Sequence, residues 1–321
     1  MSIFTQAPPV VVVAGPTASG KSRLGVEIAR RFDGEIVNSD SMQVYRYMDV
    51  GTAKPSLEER AQVPHHLFDI VDPDANYSAG RYGSDARRVV EAIHARGRLV
   101  VLVGGTGLYT RALLEGLVSD GGADPILRER LEREHSEAAA AGDPERLHRR
   151  LRGRDPQAAQ RIHPNDLRRT IRALEICEQA GRPASQVRAD HGFADRPFRR
   201  LHFAIDPGRE ILGERIDLRC QQMIDAGLLR EVRRLRAAGF GPELRPMQAI
   251  GYRHINPVAD GSDTLANARV AMQRDTRRFA RRQRTWLRKL KEVVWMDPAE
   301  EPEILRRVER FVEAKGDDPT P

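Results

Sequence analysis

The segment that most restricts the fold of this chain lies near its start: Gly15-Pro16-Thr17-Ala18-Ser19-Gly20-Lys21-Ser22. It matches the pattern G-x-x-x-x-G-K-[ST], follows the apolar run 10–14 and precedes apolar residues at helical spacing. In such a strand–loop–helix unit, backbone N–H groups at the helix N-terminus converge on phosphate. We therefore predict a P-loop that binds a polyphosphate. Gly15 and Gly20 allow close approach of the ligand, Lys21 supplies positive charge, and the Ser22 hydroxyl is the predicted ligand of a Mg²⁺ ion.

The P-loop pattern indicates a polyphosphate without identifying a nucleotide. In many P-loop NTPases an aspartate at the end of a second strand holds the metal ion. Here the predicted strand 99–103 is followed instead by Gly104-Gly105-Thr106-Gly107. This difference counts against a standard NTPase, and whether ATP can also occupy the loop stays open.

Short apolar runs alternate with helical stretches along most of the chain, at residues 10–14, 35–37, 67–71, 99–103, 201–205 and 293–296. This alternation predicts an α/β fold, a P-loop NTPase-like parallel sheet covered by helices. Strand patterns vanish between about 123 and 198, which predicts an all-helical insertion domain. The predicted organisation is core 1–122, insertion 123–198, core 199–298 with a basic helix, and a C-terminal helix and tail at 299–321.

Charge and cysteine content bound the partners and the compartment. The formal net charge is +7, and residues 269–291 hold ten lysines and arginines but one acid, Asp275. Such a stretch is typical of a phosphate-binding track for nucleic acid, and the alternative is a helix neutralised by acidic neighbours in the fold. Cys177 and Cys220 form no C-x-x-C pair and are predicted core residues. Because no signal peptide or membrane span is evident, we predict a cytoplasmic protein.

Three residues outside the P-loop are candidates for chemistry. Asp40 follows the predicted strand 35–37, and Thr106 follows the strand 99–103. Since the carboxyl ends of parallel strands face the ligand crevice, both are expected near the P-loop. Arg215 falls between Ile211 and Leu212 on the apolar side of a predicted helix, so it has either to reach solvent or to find an anion. The structural alternatives are a turn aspartate, a helix-capping threonine and a snorkelling arginine.

The chain as a whole resembles the bacterial tRNA dimethylallyltransferase family. Eight segments carry the resemblance in family order: GPTASGKS (15–22), SDSMQVY (39–45), MDVGTAKP (48–55), YSAGRY (77–82), LVGGTGLY (102–109), RIHPND (161–166), IGYR (250–253) and RQRTWLRK (282–289). P-loop kinases do not share GTAKP and GGTGLY, so the combination is specific.

The resemblance implies transfer of a dimethylallyl group from dimethylallyl diphosphate to N6 of the adenosine on the 3′ side of the tRNA anticodon. It implies that residues 15–22 hold the diphosphate of the donor, with Mg²⁺ and Arg215, and release it as the leaving group. Asp40 matches the family aspartate proposed to take a proton from the adenine amino group. Thr106 matches a substrate-contacting position.

The resemblance also implies contacts with the anticodon stem-loop of tRNA and a monomeric enzyme. The implied contacts are Asp40, Ser41, Met42, Gln43, Thr106, Arg128, Arg161, Ile162, His163, Pro164, Asn165, Gln248, Ala249, Ile250, Gly251, Tyr252 and Arg253. Without the resemblance, two other readings of the residues stand. One is a P-loop small-molecule kinase, and the other is an RNA-binding P-loop protein without catalytic activity.

Overall fold

The computed structural model describes residues 7–117, 124–191 and 197–314, except the side chain of His191. Residues fall into two compact units. One, the core unit, comprises Met1–Leu114 and Arg196–Pro321, and the other, the helical unit, comprises Glu115–Asp195. The sequence places the insertion at 123–198. The tail predicted from about residue 315 lies outside the described residues.

Parallel strands form the centre of the core unit. Its sheet has the order β3-β2-β4-β1-β5-β6, with every described pairing parallel. The strands are β1 (Pro9–Ala14), β2 (Gly34–Asn38), β3 (His65–His66), β4 (Leu99–Gly104), β5 (Arg199–Ile205) and β6 (Val294–Met296). The four valines of β1 are wholly or almost wholly buried, as expected of a strand covered on both faces. The predicted α/β class is confirmed.

Helices account for most of the remaining described chain. They are α1 (Lys21–Arg31), α2 (Leu57–Gln62), α3 (Ala79–Ala95), α4 (Gly107–Leu114), α5 (Pro125–Ala140), α6 (Arg146–Arg154), α7 (Pro156–Arg161), α8 (Leu167–Ala180), α9 (Ala184–His191), α10 (Arg209–Asp225), α11 (Leu228–Ala237), α12 (Tyr252–Ala259), α13 (Leu265–Leu287) and α14 (Glu301–Glu313). Short 3-10 turns lie at Arg245–Gln248 and Pro298–Glu300. In the described part of the chain, no helix has both the length and the apolar character needed to cross a bilayer.

The helical unit, α5 to α9, is assembled from local signals and a leucine-rich core. Asp124, Asp155 and Asp166 each accept the backbone N–H three residues on, so they cap α5, α7 and α8. Leucine side chains of α5, α6 and α8 then pack with alanines and Cys177 in one cluster. Cys177 and, in the core unit, Cys220 are buried thiols, as predicted.

The third strand does not lie where the sequence predicts it. The apolar run 67–71 is the expected strand, but the pairing with β2 is made by His65 and His66. Leu67 and Asp69 have φ angles of 64° and 54°, which are incompatible with an extended strand. The Asp69 carboxylate is bound instead by Lys54 and Arg60, at 2.6 and 2.7 Å. Ion pairing therefore bends this segment out of the sheet.

The close approach of β2 and β4 at their carboxyl ends gives a test of the fold. A Cβ on Gly104 would overlap the backbone of Ser39. We expect Gly104→Ala to lower the free energy of unfolding by about 3 kcal/mol, because neither backbone can move aside cheaply. Denaturant unfolding followed by circular dichroism measures this change.

The matched control is Gly213→Ala, in the interior of α10, where an added Cβ meets nothing within 4 Å. The free energy of unfolding of this variant should rise by about 0.5–1 kcal/mol, the usual difference between alanine and glycine in a helix. Equal stabilities for the two variants would contradict the packing described here.

Candidate active site

The P-loop lies between β1 and α1 in a strained, tightly packed conformation. Ala18 and Gly20 have φ angles of 64° and 92°. A Cβ on Gly15 would lie 2.5 Å from the carbonyl oxygen of Ile205, so only glycine allows the loop to pack against β5. The Lys21 ammonium curls back to the Pro16 carbonyl at 3.2 Å. Ser19 is buried, and its hydroxyl has no hydrogen-bond partner among the described residues.

Positive charge in the P-loop is poorly compensated. Burial lowers the pKa of the Lys21 ammonium from 10.5 to about 8, and the neighbouring Arg219 guanidinium acts in the same direction. Asp40 raises the pKa of Lys21, but by less. Burial also lowers the pKa of Arg219, again against the pull of Asp40. Two cations and one carboxylate therefore act on one another here, and an anion would stabilise the group.

The sequence did not predict Arg219 as a residue of the site, although it lies one helical turn beyond Arg215 on α10. Arg215 itself is exposed and not on a buried face, which corrects the prediction, and its neighbour Ile211 is 47% exposed. The Arg215 guanidinium nevertheless comes within 3.9 Å of the Cβ position of Gly20. Both arginines line a cavity of about 580 Å³ together with Ala18 and Gly20.

Asp40 is the second residue of the loop that follows β2, which we call the acceptor loop (residues 39–43). Its backbone N–H donates to Asn38 Oδ1 at 2.9 Å, and its Oδ1 accepts the Met42 N–H at 2.9 Å. Asp40 is thus a turn aspartate through its Oδ1 atom, as the structural alternative proposes. The same carboxylate also acts electrostatically on Lys21 and Arg219 and raises the pKa of each.

Thr106 joins the end of β4 to the acceptor loop. Its N–H donates to the Ser39 carbonyl at 3.0 Å, and its Oγ1 accepts the Ser41 N–H at 3.0 Å. The carbonyl of Thr106 meanwhile accepts the N–H of Tyr109 in the first turn of α4. The structure therefore brings Asp40, Thr106 and the P-loop together at the carboxyl edge of the sheet, as predicted.

A buried carboxylate supports the opposite wall of the cavity. Glu231 on α11 accepts the N–H groups of Asp49, Val50 and Gly51 at 2.8–3.0 Å and the Tyr252 hydroxyl at 2.7 Å. Lys54, with a side chain 1% exposed, bonds Asp49 and Asp69 from the other side of the loop. No sequence pattern points to Glu231, because its partners are backbone groups about 180 residues away.

The predicted RNA-contacting residues fall into different environments. The side chains of Ile162 and Tyr252 are buried, 8% and 0% exposed, so a contact with RNA at these two positions would involve the backbone. Arg128 is half-buried and paired with Glu175 in the helical unit. The residues that are exposed are Arg161, His163, Asn165, Gln248 and Arg253, with Ser41, Met42, Gln43, Pro164, Ala249 and Ile250 partly exposed and Gly251 buried.

The basic stretch 269–291 forms most of α13. Some of its cations are neutralised: Arg277 pairs with Asp217, and Arg284 lies 2.7 Å from Asp206. Arg281, Arg282 and Arg288 are exposed, and within the described ranges no carboxylate pairs with them. The interpretation as a neutralised helix is therefore correct for some of these cations, and the phosphate-binding track stays a prediction. Arg281 and Arg282 lie in the C-terminal half of α13, and Arg288 directly follows the helix.

Comparisons with known proteins agree with one another. The family model described as IPP transferase matches residues 43–290. A tRNA dimethylallyltransferase of Desulfatibacillum aliphaticivorans is 46% identical over 304 residues, covering 95% of this chain and 98% of the relative. The tRNA dimethylallyltransferase of Geobacter metallireducens is 49% identical over 304 residues, with coverages of 94% and 97%.

Solved structures give the same result. The tRNA isopentenylpyrophosphate transferase of Bacillus halodurans superimposes with a TM-score of 0.70 at 37% identity, covering 96% of this chain and 97% of that one. A eukaryotic dimethylallyltransferase acting on tRNA has a TM-score of 0.83 at 28% identity, covering 98% and 81%.

The lowered pKa of Lys21 gives a pH test of the site. An anion favours the ammonium form, so binding raises the pKa of Lys21 and takes up protons near pH 8. Affinity for inorganic diphosphate should therefore fall as the pH rises through about 8. Titration calorimetry at several pH values, in buffers of different ionisation enthalpy, measures the affinity and the proton uptake.

Lys21→Arg is the control, because guanidinium stays charged over this range. The titration of diphosphate itself is common to both proteins, so it cancels in the comparison. Identical pH profiles for wild type and Lys21→Arg would show that Lys21 does not titrate at the ligand.

Proposed function

The chain belongs to the IPP transferase family, and on that premise we propose how its residues carry out the reaction. It is a transferase that modifies tRNA with a dimethylallyl group. We propose dimethylallyl diphosphate as the donor and N6 of the adenosine on the 3′ side of the anticodon as the acceptor atom. The observation that carries the proposal is the placement of Asp40 and Thr106 beside the P-loop at the carboxyl edge of the sheet, where the Asp40 carboxylate acts on Lys21 and Arg219.

The P-loop is suited to hold the diphosphate of the donor. When the bond between the allylic carbon and oxygen breaks, its electron pair passes to the diphosphate, whose negative charge grows. Lys21, Arg215 and Arg219 would stabilise that charge more in the transition state than in the ground state. The repulsion that Arg219 exerts on Lys21 before the donor binds would be relieved by the same charge.

A Mg²⁺ ion fits this site through Ser22, whose exposed hydroxyl is the type of oxygen ligand that Mg²⁺ accepts beside substrate phosphates. When bound, the ion would add positive charge beside the leaving diphosphate. Within residues 7–117, 124–191 and 197–314, no group of three or more His, Cys, Asp or Glu side chains could hold a metal ion. Substrate oxygens and water would thus complete its coordination.

Asp40 is the proposed base. The adenine amino group attacks the allylic carbon, and one of its protons passes to the Asp40 carboxylate as the new C–N bond forms. The bond from Met42 N–H to Oδ1 orients this carboxylate and leaves Oδ2 for the proton. Thr106 holds the acceptor loop through Ser41 and is the proposed neighbour of the substrate. To reach Asp40, the adenine has to leave its stack.

For RNA binding we propose the exposed cations of α13 and the exposed residues of the segments 161–165 and 248–253. Sequence selection would then depend on splayed loop bases of the anticodon stem-loop, as is usual for RNA. We propose further that the enzyme is a monomer and that it acts in the cytoplasm, where tRNA is used. The P-loop pattern by itself is also compatible with ATP, which is the feature of this chain that would favour a kinase.

One assay separates the transferase from the kinase and tests Asp40. Labelled dimethylallyl diphosphate with unmodified tRNA should give labelled RNA, whereas labelled ATP with candidate acceptors should give no labelled product. Asp40→Asn should lower the transfer rate by about 10²–10⁴-fold, because general base catalysis is lost. Affinity for tRNA should stay near that of the wild type.

Asp74→Asn, at an exposed position, is the matched control and should transfer at the wild-type rate. Full activity of Asp40→Asn would remove Asp40 from the mechanism. Label incorporated from ATP and not from the prenyl donor would overturn the proposed function.

The α13 cations give a second test. Replacing Arg281, Arg282 and Arg288 together by Gln should weaken binding to all tRNAs. The slope of log affinity against log salt should become shallower by about 0.7–0.9 for each RNA phosphate that the variant no longer neutralises. Filter binding over a range of salt concentrations measures both effects.

The control makes the same change of charge on α14, by replacing Arg306, Arg307 and Arg310, which all lie near Glu303. If both triple variants have the same salt slope, the loss of net charge alone explains the weaker binding, and α13 has no specific role in it.

A further inference from the structure

Packing against another helix explains why glycines follow β4, and the proposed reaction does not. A Cβ on Gly105 would overlap the side-chain amide nitrogen of Gln283, and a Cβ on Gly107 would overlap the indole ring of Trp286. Both partners belong to α13, the basic helix. Two of the three glycines in the motif Gly104-Gly105-Thr106-Gly107 therefore allow α13 to pack closely against this loop.

Gln283 makes the polar part of this contact. It is 7% exposed, and its Oε1 accepts the Thr17 N–H of the P-loop at 2.9 Å. Its Nε2 donates to the Gly105 carbonyl at 3.0 Å. Because an N–H only donates and a carbonyl only accepts, the two partners determine the orientation of the amide. No other uncharged side chain of this length offers a donor and an acceptor at one end.

The two loops joined by Gln283 carry different halves of the proposed chemistry. Thr17 belongs to the P-loop, the proposed site of the donor diphosphate. Gly105 precedes Thr106, whose hydroxyl accepts the Ser41 N–H of the acceptor loop. The loops also touch directly, since the carbonyl oxygen of Gly15 is 3.3 Å from the Cβ position of Gly105. The amide thus spans the distance between the diphosphate site and the residues around Asp40.

We infer that Gln283 is a positioning residue, which sets the separation of the P-loop and the Thr106 loop and so aligns donor and acceptor. This inference rests on the proposed function. The Thr17 N–H is tied back to Gln283, and this bond restrains the segment in which Ala18 adopts its left-handed conformation. The reaction requires alignment to within a fraction of an ångström, so a small shift of one loop slows it strongly.

The test uses Gln283→Met in the full-length protein, since methionine keeps the volume and removes both hydrogen bonds. The single-turnover rate at saturating donor and RNA should fall about 100-fold, as expected for a misaligned pair of substrates. Affinity for inorganic diphosphate should fall about tenfold, because the P-loop is no longer restrained. Affinity for tRNA should not change, since Gln283 is buried beneath the exposed arginines.

Two further variants separate positioning from stability. Gln273→Met, at a half-buried position of the same helix, should keep the wild-type rate and diphosphate affinity. Gly105→Ala, which displaces the Gln283 amide from the other side, should reproduce the slow transfer of Gln283→Met. All rates are measured below the unfolding temperature of each variant, as determined by calorimetry.

The inference is overturned if Gln283→Met transfers at the wild-type rate, or if its loss of rate only matches a loss of folded protein. A wild-type protein that transfers no prenyl group would refute the proposed function instead. In that case the diphosphate titration still decides the role of Gln283 in the P-loop, and equal affinities for wild type and Gln283→Met would refute it.

Discussion

Backbone-to-backbone contact between the loops that leave β1, β2 and β4 is the constraint on which the site depends. Only glycine fits at Gly15, where the P-loop meets β5, and at Gly104, where β4 meets Ser39. Side chains at these positions would push the loops apart and break the hydrogen bonds between them. The close approach allows Thr106 to hold Ser41 and brings Asp40 within electrostatic range of Lys21.

Electrostatic imbalance is the second feature of the site. Burial and the Arg219 guanidinium lower the pKa of Lys21, burial lowers the pKa of Arg219, and the Asp40 carboxylate opposes both shifts. The wall of the same cavity is fixed by Glu231, which accepts hydrogen bonds from the backbone N–H groups of three consecutive residues, 49–51. A polyanion that enters the cavity gains from the relief of this repulsion. A departing diphosphate, which carries growing charge, gains more than an intact ester.

Much of this arrangement could be predicted because its signals are local. The P-loop spacing, the buried valine run of β1 and the aspartate caps of the helical unit each depend on neighbours in sequence. The failures involve distant partners. Residues 67–71 have the composition of a strand, yet Asp69 is drawn to Lys54 and Arg60. Local sequence signals likewise do not reveal that the Tyr252 hydroxyl donates to Glu231 inside the fold.

By itself, the sequence determined the α/β class, the strand–loop–helix unit of the P-loop motif and the family, because strand and helix periodicity and motif spacing are properties of short segments. It also placed Asp40 and Thr106 near the P-loop, since strand ends in a parallel sheet lie at a common edge. Tertiary structure alone decided that Arg219 joins the cavity, that Glu231 supports its wall and that Gln283 connects the two loops. These three residues act on groups far away in the chain, and no periodicity or spacing encodes such contacts until the sheet and helices have packed.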